Sequence, residues 1–183
     1  MFPNRRKARA RLARRIPGML ELARARGLRQ DELRVVEQRE QLRCVARDAE
    51  REVRIAVALC SDVLVHSGNA ERQNMFVPVL VDLLKDPEPD VRAIAANGLG
   101  QLKALPSLSV PALIPVVDDP QRLPRYHAAL ALGSFGAAAS NAVPALLAYA
   151  HKTGSATERQ LIIQAIRKID PGLADAPRPV RNR

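Results

Sequence analysis

The chain has 183 residues, 47% of them apolar but only 3% aromatic and none of them Trp, a length that suits one compact domain or one short solenoid. A core of Ala, Leu, Val and Ile without any strictly alternating β-branched run argues against a sheet sandwich and for an all-α protein. The net charge of +10 is lopsided: residues 1–54 hold 16 Lys or Arg against 8 Asp or Glu, the remainder 13 against 11, so the basicity belongs to one end.

That end, residues 1–29, opens with Arg5, Arg6, Lys7, Arg9, Arg11, Arg14 and Arg15 and has no acid before Glu21. Leu12, Ile16, Met19, Leu20 and Leu22 make a partial apolar stripe interrupted at Pro17 and Gly18. The expectation is a basic extension followed by a helical cap that covers the first unit of an array. No apolar run with a small-residue cleavage site follows the basic start, so no signal peptide is expected, although the Arg content resembles a transit peptide.

Residues 30–170 form the repetitive part. A charged amphipathic helix over Asp31–Arg47 turns Leu33, Val36, Leu42 and Val45 inward. Asp48, Ala49 and Glu50 break it, and a second helix runs from Arg51 to about His66. The polar stretch Ser67–Asn74, with Gly68, reads as a loop. Next comes a helix with Pro78 near its start, stopped by Asp86-Pro87-Glu88-Pro89-Asp90, where each proline removes a donor and restricts its predecessor. Asp90 is the expected N-cap of the following helix.

Tyr126–His151 contains no Asp, Glu, Lys or Arg and is long enough to span a membrane. With Ser134, Ser140, Asn141 and Pro144, and a loop expected through Gly136–Asn141, it reads as two short buried helices. Residues 171–183, rich in Pro and Arg, are expected to be a disordered basic tail. The two cysteines, Cys44 and Cys60, read as small buried hydrophobes in a reducing compartment.

A period runs through the middle of the chain. Val77-Pro78, Val110-Pro111 and Val143-Pro144 recur every 33 residues, and Arg92, Arg125 and Arg159 follow at 33 and 34. In each unit an Asp lies eight residues after the Pro and an Arg six further on, as in Pro78, Asp86, Arg92 and in Pro111, Asp119, Arg125. Asp48 and Arg54 keep the six-residue gap. Such a period signals stacked supersecondary units. In that register Ala95, Leu99 and Leu102 align with Ala128, Leu132 and Phe135 and with Ile162, Ile166 and Ile169 as the core. Gly100 and Gly133 are placed where helices must approach closely.

The V-P-x-L starts, D-x-x-x-x-V-R turns and A-x-x-x-L-G endings at Ala95–Gly100 and Ala128–Gly133 resemble HEAT repeats, in particular the short subclass first noted in phycobilisome lyase-like proteins. The resemblance covers roughly residues 31–170. It implies an α-solenoid of about four helical hairpins, first helices on the convex side and second helices on the concave side. It also implies that Asp48, Asp86, Asp119, Arg54, Arg92, Arg125 and Arg159 form a ladder between repeats. The last unit departs, with Thr153 at the Asp position and Glu158 at the Val position, and is a candidate C-terminal cap.

The face between the core positions is the candidate partner site: Ile55, Leu59, Ala93, Asn97, Gln101, Tyr126, Leu130, Gln164 and Lys168. Ordinary exposed helix faces are rich in charge, and this row carries one charged residue, which suits a peptide or helix laid in a groove. No catalytic constellation is present. His66, His127 and His151 stand outside any motif, the cysteines lack zinc spacing, and no phosphate-binding loop occurs. No metal and no cofactor are expected.

The first reading is therefore a non-enzymatic cytoplasmic scaffold or adaptor that binds a protein through its concave face, within a larger assembly. The alternative uses Arg5, Arg6, Lys7, Arg9, Arg11, Arg14 and Arg15 on nucleic acid or an acidic protein, through salt-sensitive contacts without aromatic stacking. A third reading, a lyase-type HEAT enzyme, follows from the resemblance alone.

Overall fold

The Asp-Pro turns and the small residues between them set the architecture. A computed structural model describes residues 51–67 and 69–175, together with Glu37 and Gln38. Its helices are α1 (Arg51–Ser67), α2 (Ala70–Leu83), α3 (Pro89–Leu102), α4 (Pro106–Leu113), α5 (Arg122–Phe135), α6 (Val143–Lys152) and α7 (Ala156–Ile169). Short 3-10 turns at Ile114–Asp118, Gly136–Ala142 and Pro171–Asp175 complete them, and no strand occurs among the described residues. The N-terminal extension and cap, Cys44, Asp48 and the Asp31–Arg47 helix apart from the helical Glu37 and Gln38 lie outside the described residues, as does the tail beyond Asp175. The proximal tail is not irregular: Pro171–Asp175 forms a 3-10 turn.

The repeat unit is a helical hairpin. The second helices α1, α3, α5 and α7 pack side by side in sequence order, while α2, α4 and α6 lie against them on the other layer. The core lies between the layers, where Val77, Leu80, Val91, Leu99, Leu113, Leu132, Leu146 and Ile162 are fully buried. Eight of the nine aligned second-helix positions are buried, and Phe135 is half-buried against the same cluster. Close approach depends on the two glycines. A Cβ on Gly100 would lie 2.7 Å from the Ala131 backbone and one on Gly133 3.0 Å from that of Ala165, so each neighbouring helix occupies the space of a side chain.

Several local expectations are corrected. The loop expected over Ser67–Asn74 is helical from Ala70, because Asn69 accepts a hydrogen bond from the Arg72 amide at 3.0 Å and caps α2. Pro78 accordingly lies inside α2 rather than near its start. Asp90 is not the cap of α3. The helix begins at Pro89, whose fixed φ and missing N–H suit the first helical position, so Asp90 falls in the first turn. The expected loop at Gly136–Asn141 is a 3-10 turn entered through Gly136 at φ +57°. Cys60 is exposed rather than buried, since the inward side of α1 is taken by Val57, Ala58 and Ser61.

Arg122–Lys152 passes the length and hydropathy test for a membrane crossing. The stretch is broken at Gly136, and α5 and α6 bury Leu132 and Leu146 in the same core. It folds as two helices of a hairpin stack.

Candidate partner-binding face

The Asp-Pro turn places one carboxylate and one guanidinium at each junction. Asp86 Oδ1 accepts from the Glu88 amide at 2.9 Å, and Asp119 Oδ1 from the Gln121 amide at 2.8 Å. Each Asp therefore closes its own turn. Both oxygens of each carboxylate also accept from the arginine of the preceding repeat. Arg54 Nε lies 2.5 Å from Asp86 Oδ2, and Arg92 grips Asp119 with Nε at 2.7 Å and Nη2 at 2.9 Å.

The same arginine also reads its own turn. Arg92 Nη1 donates to the Asp86 and Pro87 carbonyls at 2.8 and 3.0 Å, and Arg125 Nη1 to those of Asp119 and Pro120 at the same distances. Burial alone would raise the Asp119 carboxyl. The hydrogen bonds from Arg92 and the Gln121 amide, with the charges of Arg92 and Arg125, hold it below its ordinary range instead. The Arg92 guanidinium is shifted upward, chiefly by its bond to Asp119. This fork geometry is a structural clamp.

The last junction is built differently. Arg125 finds no Asp, because the position holds Thr153. Its Nε donates to Tyr149 Oη at 3.3 Å, and its guanidinium carbon lies 5.6 Å from the centre of the Tyr149 ring. Tyr149 Oη donates in turn to Glu158 Oε2 at 2.7 Å, Thr153 Oγ1 donates to the same oxygen at 2.7 Å, and Arg122 Nε reaches Glu158 Oε1 at 2.8 Å. The Thr153 hydroxyl bond leads in lowering the Glu158 carboxyl against the cost of its burial, helped by Tyr149, Arg122 and Arg125. Burial pushes the Tyr149 phenol up. The two departures in the last repeat thus compensate each other.

The candidate binding residues divide into three groups. Ala93 is buried at 4% exposure and contributes no surface, because α3 sits between two neighbours there. Ile55, Asn97 and Tyr126 are half-buried. Leu59, Leu130, Gln101, Gln164 and Lys168 are exposed, with Leu59 at 47% and Leu130 at 36%. Two of the candidate residues thus turn a large apolar side chain outward, from second helices α1 and α5, and Leu123 of α5 is exposed too.

One turn beyond Leu130 an open depression of about 870 Å³ runs across the carboxyl ends of α1, α3, α5 and α7. It gathers Gln101 and Lys168 from the expected row. Ser134, Lys103, Val65 and His66 join them over a floor kept low by Gly100 and Gly133. Lys103 and His66 were not anticipated. They lie one step beyond the periodic helix positions, and Lys103 is the left-handed residue, φ +49°, that closes α3 by donating to the Leu99 carbonyl at 3.0 Å. The seven basic residues of the N-terminal run lie outside the described residues.

His127 occupies the register position of Ile94 and Leu161. Its Nδ1 is buried without a hydrogen-bond partner, its ring meets Tyr126 edge-on at 5.3 Å, and burial lowers its pKa. Among the described residues no group of three His, Cys, Asp or Glu is placed to hold a metal ion.

Residues 77–167 match the family of HEAT repeats. With the paired layers and the Arg–Asp clamps, this defines the segment as a HEAT-repeat α-solenoid, a class that generally serves protein–protein interaction. No curated protein matches the chain in sequence.

Proposed function

We propose that this protein is a non-enzymatic adaptor that holds a protein partner against the face formed by its second helices, the concave face in the HEAT resemblance. The observation that carries the reading is the exposure of Leu59 and Leu130 in a row that also holds Ile55, Asn97, Gln101, Tyr126 and Gln164 and a single charge, Lys168. Exposed apolar side chains set among neutral polar ones supply contact area at little desolvation cost. The repeat signature suits the short phycobilisome lyase-like subclass, here used for binding. The exposed Cys60 thiol suits a reducing compartment such as the cytoplasm.

The test is capture from the native host by the full chain and by its Leu59→Glu, Leu130→Glu variant. The variant is expected to keep its helical circular dichroism and lose the captured protein. Equal capture by both would remove this face from consideration.

The basic run Arg5–Arg15 supports a second reading, a nucleic-acid contact by the N-terminus. Deleting residues 1–17 should then weaken binding to a single-stranded oligonucleotide and flatten its salt dependence. A salt response identical to that of the full chain would reject it.

A further inference from the structure

The depression at the carboxyl ends of the second helices has a composition of its own. Lys103 and Lys168 are exposed, and among the described residues neither has an ion-pair partner, whereas exposed Lys152 is paired with Asp118 at 2.6 Å. Among the described residues that line the depression none is acidic. The helices α1, α3, α5 and α7 end around the depression, and helix ends present carbonyls that seek donors and carry partial negative charge. Ser134 Oγ donates back to the Leu130 carbonyl at 3.0 Å, which leaves its oxygen turned into service as an acceptor. The surface thus asks for two things at once: carboxylates for the lysines and N–H groups for the carbonyl ends and Ser134.

A phosphate backbone supplies acceptors only and leaves the carbonyl ends and Ser134 without donors. A peptide with acidic side chains supplies both. Leu130, one helical turn from Ser134, adds an apolar anchor at about 6 Å along the axis. We propose that this end of the groove takes an acidic peptide segment of the partner protein, its carboxylates on Lys103 and Lys168 and an apolar side chain on Leu130. The proposal rests on the adaptor reading and specifies the chemistry of its partner.

The experiment is a selection of randomised phage-displayed peptides on the full chain, followed by affinity measurements for the enriched peptides. Enriched sequences are expected to be acidic with an aliphatic or aromatic residue. The Lys103→Glu, Lys168→Glu variant should bind them at least about tenfold more weakly, a change of about 1.4 kcal/mol, with unchanged helicity. Enrichment of neutral or basic peptides, or unchanged affinity in the charge-reversed variant, would overturn the proposal.

A Leu130→Glu variant separates the two levels. If it loses peptides that show no acidic preference, the adaptor reading survives and the acidic partner does not. If it binds as well as the native chain, or if no peptide is enriched, both fall. Competition by a single-stranded oligonucleotide that depends on both lysines would assign the depression to nucleic acid and also overturn the proposal.

Discussion

The two inner junctions of the stack and the last one meet the same requirement with different residues. Arg54 and Arg92 each close directly on an aspartate of the next turn, Asp86 and Asp119. Arg125 reaches a carboxylate only through the Tyr149 hydroxyl, and that carboxylate belongs to Glu158, five residues past the usual position. The junction needs a negative charge near the half-buried arginine and acceptors for its fork. It does not need them from one fixed residue, provided that an intervening group can pass the hydrogen bond on. The last junction therefore has more members, and losing its centre strands more of them.

The largest effect is expected there. Glu158→Ala removes the acceptor of Tyr149, Thr153 and Arg122, leaving two hydroxyl protons near or below the surface without an acceptor, and should cost roughly 3 kcal/mol in urea unfolding. Arg92→Ala at the inner junction should cost roughly 2 kcal/mol, since one carboxylate is stranded close to solvent. A Glu158 variant as tolerant as an exposed-site substitution would dissolve the distinction between the junctions.

The next experiment exchanges one junction for the other. Thr153→Asp with Glu158→Val restores the inner pattern and should lie within about 1 kcal/mol of the native protein. Thr153→Asp alone places two carboxylates together and should be the less stable of the two variants.

Packing offers a smaller contrast. Gly100→Ala drives a Cβ to 2.7 Å from the Ala131 backbone and should cost about 1–3 kcal/mol, despite a gain in helix propensity of about 1 kcal/mol. Gly133→Ala, with 3.0 Å to Ala165, should cost less. Gly154→Ala, where nothing lies within 4 Å, should be neutral or slightly stabilising.

The smallest effect concerns pH. Folded Asp119 and Glu158 titrate below their ordinary values, so their contribution is complete above about pH 4 and disappears as pH falls through the lower folded values. His127 also titrates low when folded. The unfolded chain takes up its proton first, so stability declines as pH drops through about 6.5 toward the folded value. His127→Leu, matching Ile94 and Leu161 in register, should remove that decline and change stability at neutral pH by less than about 1 kcal/mol. A native protein whose midpoint is flat from neutrality to pH 5 would contradict the His127 assignment.

Much of the stack was legible in the chain. The 33-residue period, the Asp-Pro turns and the aligned Ala95, Leu99, Leu102 set are local or periodic features. A helix that repeats its apolar positions must turn the same side inward each time. The glycines at 100 and 133 belong to the same class, since a missing side chain at a core-flanking position points to close helix approach. Elsewhere a single local competitor won. Asn69 started α2 where polar composition suggested a loop, and Pro89 took the first position that Asp90 was expected to cap.

The binding face was legible only in part, because exposure depends on neighbours a whole repeat away. Ala93 and Tyr126 hold the same register, yet Ala93 is buried and Tyr126 half-exposed. By itself the sequence determined the unit, its period and its inward face, all fixed by spacing along one helix. Only the tertiary structure decided that Glu158 answers Arg125 through Tyr149, and that Lys103 and Lys168 share one depression. Those pairings join residues 33 and 65 positions apart, and the way neighbouring helices stack, which no single repeat specifies, brings them together.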